Sequence, residues 1–74
     1  EAIERQLAYY TKERGLSDFM LKVSPIFEAY LTRGFNSIRR KWCRKYNCKI
    51  KIVGDTDYSI LQATWCTPAG DPIE

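Results

Sequence analysis

Residues 39 to 51 read RRKWCRKYNCKIK and hold seven of the chain's twelve Lys and Arg side chains, two of its three cysteines and one of its two tryptophans. Basic side chains this dense, interleaved with aromatic and sulfur groups, suit three kinds of chemistry. They can neutralise phosphates, ligate or cross-link through sulfur, or form the solvated face of a helix. The charge is segregated along the chain. Arg33, Arg39, Arg40, Lys41, Arg44, Lys45, Lys49 and Lys51 fall in one block of eight basic residues without an acid, and the rest of the chain carries four basic and nine acidic residues. That makes the block +8 and the remainder −5. Clustering of this kind, more than the net charge of +3, is the signature of an electrostatic contact surface for an acidic partner. Four of the eight are Arg, whose planar fork can hold a phosphate with two hydrogen bonds.

Other chemistries are poorly served. The chain has no His, which removes His-based acid–base catalysis, Ser-His-Asp and Cys-His nucleophile activation, and His-ligated zinc. Three cysteines fall short of an all-cysteine tetrahedral site. Cys43 and Cys66 are placed by the expected strand register where a bridge between them is geometrically conceivable. Otherwise the three serve as small reduced hydrophobes, which favours a reducing compartment. Asp55-Thr56-Asp57 offers two carboxylates at a turn, but Asp and Thr are also ordinary turn residues. The four glycines stand singly, so no phosphate-cradling loop exists. The expectation is a non-enzymatic domain without metal or cofactor. Trp42, Tyr46 and Tyr58 are the aromatic groups beside the basic block. Trp42 lies on an apolar stripe and reads as core; Tyr58, beside a turn on an exposed face, is the candidate for stacking on a base.

These residues need elements to position them. Residues 2–14 carry Ile3, Leu7, Tyr10 and Arg14 at helical spacing, with Lys12 and Arg14 in the last turn and Gly15 as a stop. Residues 17–23, SDFMLKV, suit a strand or a short helix, with strand favoured because Ser24-Pro25 opens the next helix. From 25 to 46 runs the longest helical pattern: Phe27, Leu31, Gly34, Ile38 and Trp42 on one stripe, widened by Tyr30 and Phe35. Arg33, Arg40 and Arg44 gather on the opposite side. A hairpin over 48–53 and 58–65 ends the domain. Its register puts Cys48, Ile50, Ile52, Leu61, Ala63 and Trp65 on the covered face, and Lys49, Lys51, Val53, Tyr58, Ile60 and Gln62 on the other.

The fold class is therefore α+β: one small domain over 1–66, with two helices on a C-terminal β-hairpin and 17–23 as a third strand. A winged-helix-like order is the alternative if 17–23 is helical. Residues 67–74, with two prolines and a glycine, read as a tail or linker. No apolar run reaches the roughly 20 residues that span a bilayer, and the charged opening EAIERQ lacks the apolar stretch of a signal peptide.

The expected function is nucleic-acid binding, RNA or DNA undecided, through Arg33, Arg39, Arg40, Lys41, Arg44, Lys45, Lys49, Lys51 and Tyr58, mostly by phosphate contacts. The alternative is a protein interaction or self-association domain, using the basic face against an acidic partner. Docking on an anionic membrane surface ranks third, because the long helix's apolar stripe is committed to the core. The expected location is intracellular, cytoplasmic or nuclear.

Overall fold

The most apolar strand takes the centre. In the computed structural model, which describes residues 2–34 and 37–73, β1 (Asp18–Val23) alternates strictly, and Phe19, Leu21 and Val23 are all under 5% exposed. β2 (Lys49–Gly54) lies on one side of it and β3 (Ala63–Cys66) on the other, giving the order β2-β1-β3. β2 runs parallel to β1, with Phe19 beside Ile50 and Leu21 beside Ile52, whereas β3 is antiparallel, with Leu21 beside Trp65. The parallel pair requires a crossover, and two helices supply it.

Three helices cover one face of the sheet. α1 (Ala2–Lys12) buries Leu7 and brings Tyr10 against Phe19, and Trp65 Nε1 donates to Ile3 O at 3.3 Å. α2 (Pro25–Thr32) begins at Ser24, whose hydroxyl accepts the Phe27 N–H, with proline at the first helical position. α3 (Ile38–Tyr46) begins at Ser37, whose hydroxyl accepts the Arg40 N–H, and ends at Asn47 in the left-handed region (φ 52°). The core joins Leu7, Phe19, Leu21, Val23, Leu31, Trp42, Ile50, Ile52 and Trp65. Trp65 meets Phe19 edge to face at 5.5 Å between ring centres.

The result is an α+β domain with three helices and a mixed three-stranded sheet. Residues 17–23 adopt the strand, so the winged-helix-like order does not form. Two expectations are corrected. The single helix over 25–46 is two helices, because Arg33 is extended and Gly34 sits at φ +76°, a left-handed conformation that suits glycine. Phe35, assigned to the helical stripe, lies outside the described residues. The hairpin over 48–53 and 58–65 does not form either, since β1 separates its two strands. Crossing the end of β1 spans two strand spacings, roughly 10 Å. Residues 55–62 make that crossing as a turn-rich connection, tied by Asp55 N–H to Val23 O at 2.7 Å. Leu61, expected on the covered face, is consequently 89% exposed. Residues 67–73 fold back on β3: Cys66 forms a bridge with Pro72, Ile73 N–H donates to Trp65 O, and Ile73 packs on the core.

Candidate nucleic-acid interface

α3 is a short helix whose inner surface carries Trp42 and partly buried Ile38, Cys43 and Tyr46, leaving Arg40, Lys41, Arg44 and Lys45 exposed outside. Arg44 and Lys45 in its last turn suit the helix dipole. Arg39 and Arg40 stand in its first turn, which holds no acidic residue and where the dipole opposes positive charge.

β2 supplies the second group. Its alternation buries Ile50 and Ile52 and turns Lys49 and Lys51 to the sheet face opposite the three helices. The strand register sets their neighbours there: Asp18 beside Lys49, Met20 beside Lys51, and Lys22 between Val53 and Thr64. Lys22 therefore joins Lys49 and Lys51 on one open face, a placement missed in the sequence because the hairpin put β3 directly beside β2. The signal was available in DFMLKV, where every second residue is apolar. Tyr58 belongs to the 55–62 connection and not to a strand. It is half-buried, and its hydroxyl donates to Thr64 Oγ1 at 2.9 Å, which fixes the ring beside Lys22's row.

The helical and sheet groups meet at β2, an edge strand. Lys49 N–H points inward to Ser17 O, so the backbone of the next residue, Ile50, faces outward. Arg39 Nη1 reaches that outward carbonyl at 3.4 Å and lies 3.9 Å from Cys43 Sγ. A cleft of about 480 Å³ opens there, between Arg39 and Cys43 on the helical side and Lys49, Lys51, Met20 and Pro68 on the sheet side. Asp18 is its one acidic lining residue.

Two predicted residues lie elsewhere. Arg33 caps the C-terminus of α2, so it does not share a helix face with Arg40 and Arg44. Lys45 is engaged with α1: Lys45 Nζ and Tyr46 Oη both donate to Glu4 Oε2, at 3.0 and 2.8 Å. Those two hydrogen bonds hold the Glu4 carboxyl below its usual value, and the same carboxylate raises Lys45 and Tyr46. Lys12 and Lys45 both sit over the Tyr46 ring, at 5.7 and 5.4 Å.

The three cysteines are free thiols. Burial pushes Cys48 up to about 11, helped by Cys43 and Asp18, and burial also raises Cys66. Among the described residues no three His, Cys, Asp or Glu side chains gather as metal ligands. Asp55 instead uses Oδ1 to accept the Asp57 N–H at 2.9 Å, an ordinary turn contact. Among the described residues no helix is long and apolar enough to cross a membrane.

No protein-family model, curated protein or solved structure matches this chain.

Proposed function

We propose that this is a non-enzymatic nucleic-acid-binding domain that holds phosphates along the outer face of α3 and around the β2 edge. The observation that carries the reading is the basic cleft: Arg39, Lys49 and Lys51 converge on it from a helix and a strand, and exposed Arg40, Lys41 and Arg44 continue it along α3. Phosphate affinity follows from releasing counterions at such groups and requires no base-specific pocket. Lys22 extends the lysine face of the sheet, and Tyr58 offers a ring beside it for stacking. Lys45 contributes less than its neighbours, being paired with Glu4. The free thiols accord with a reducing, intracellular setting.

The second reading, protein interaction or self-association, draws on α2, where Ile26 and Tyr30 are 68% and 59% exposed. One experiment separates the two: an amide chemical-shift titration of the domain with short RNA, single-stranded DNA and duplex DNA. Phosphate binding moves the signals of residues 39–51 and Lys22. Shifts confined to α2 that grow with protein concentration, and ignore the oligonucleotide, contradict it in favour of self-association.

A further inference from the structure

Cys43 and Cys48 occupy paired positions in the ending of α3. Asn47 is the left-handed residue, and the Cys48 N–H donates back to Cys43 O at 3.0 Å. This is the six-to-one hydrogen bond of a Schellman ending, which is frequently accompanied by contact between the side chains of the two residues it joins. With so short a bond between their backbones, the two Cα atoms are at most about 7 Å apart, around the range that a disulfide spans. Both side chains line the same cleft at the β2 edge. Cys43 is half-buried, whereas Cys48 is 8% exposed. Cys66 is separate: it lies in β3, 1% exposed, beneath the turn that returns the chain to Pro72.

The two thiols are unequal. The Arg39 guanidinium lies 3.9 Å from Cys43 Sγ, and Cys43 is the more exposed of the pair, so a small oxidant entering the cleft reaches it first. Cys48 is the more deeply buried, and its burial keeps it protonated. We propose that Cys43 and Cys48 form a reversible dithiol–disulfide site, with Cys43 the thiol that hydrogen peroxide oxidises and Cys48 the resolving thiol. In the first step the Cys43 thiolate attacks a peroxide oxygen. The O–O bond breaks, the departing oxygen leaves as water after taking up a proton, and Cys43 becomes a sulfenic acid. In the second, Cys48 sulfur attacks Cys43 sulfur, the S–O bond breaks, and the hydroxide leaves as water with the Cys48 proton. Two thiols lose two electrons and two protons, and hydrogen peroxide becomes two waters. The bridge fastens the end of α3 to the start of β2 and withdraws Cys43 Sγ from Arg39. This site stands independently of the nucleic-acid reading.

The test treats the reduced protein with hydrogen peroxide, blocks remaining thiols with iodoacetamide, and maps the tryptic peptides by mass spectrometry. Trypsin separates the two cysteines, into WCR (42–44) and YNCK (46–49). The expected product is one cross-linked WCR–YNCK species, lighter by two hydrogen atoms than its parts and dispersed by dithiothreitol. In Cys48→Ala the same treatment should leave Cys43 as a sulfenic acid that dimedone captures. Bridges that include Cys66, bridges between chains, or Cys43 driven to sulfinic acid while Cys48 stays alkylated would overturn the proposal. So would failure of dimedone to label Cys43 in the variant.

Discussion

Lys45 and Tyr46 both direct their hydrogen bonds at one oxygen, Glu4 Oε2, and so a single carboxylate ties α1 to the end of α3. The linkage has a definite sign. Glu4 is held below its ordinary value of 4.5, so its contribution to stability is complete above that value and is lost as the pH falls through the lowered one. Tyr46 and Lys45 are raised above their ordinary values of 10.0 and 10.5, so theirs is complete below those values and is lost as the pH rises through the raised ones. Glu4→Gln should therefore lower the melting temperature near neutral pH, with the gap to wild type closing below pH 4.5. Thermal melts of both proteins across pH 2 to 9 check this, and a gap independent of pH would contradict it. At this scale the sequence was only partly informative. The excess of charge after Arg33 was plain, but which lysine is engaged depends on a contact between residues 41 apart, which no local pattern records.

Element boundaries depend on backbone conformations that particular residues permit. Asn47 holds φ 52° at the end of α3, a position that costs most side chains about 1 kcal/mol or more and costs glycine nothing. Asn47→Ala is expected to destabilise the domain by about 1 kcal/mol, whereas Asn47→Gly should leave stability unchanged or raise it. Urea denaturation of the two variants measures the difference; equal losses in both would show that the Asn side chain, not the conformation, matters. Asn47 was legible as a helix stop for this reason, as were the α1 stripe and the proline start of α2. The break after Thr32 was less so, because Phe27, Leu31, Ile38 and Trp42 keep helical phase across it. Gly34 and the capping Ser37 mark the break, and single residues of these types inside an apolar stripe are compatible with either outcome. The β2–β3 hairpin misled for a different reason. GDTD is a sound turn, but β1 can pair on both edges, and burying Phe19, Leu21 and Val23 at the centre outweighs a local strand pairing.

At the scale of the whole molecule, three helices occupy one sheet face, and that arrangement decides where charge can accumulate. Lys22, Lys49 and Lys51 are confined to the opposite face, while Arg40, Lys41 and Arg44 lie outside the helical layer. In a two-layer domain these surfaces would be unrelated were it not for β2 being an edge, around which Arg39 reaches from α3 to the Ile50 carbonyl. The basic residues around this edge are the proposed site of contact with nucleic-acid phosphates. Fluorescence anisotropy of labelled RNA, single-stranded DNA and duplex DNA, titrated with the domain at several salt concentrations, tests it directly. The expected result is binding with a log–log salt slope of about −3 to −6. Arg40→Glu/Arg44→Glu and Lys49→Glu/Lys51→Glu should each weaken it by about tenfold or more and flatten that slope by about 2. Absence of binding below about 100 μM at low salt with all three oligonucleotides, or affinities that neither double reversal alters, would contradict it.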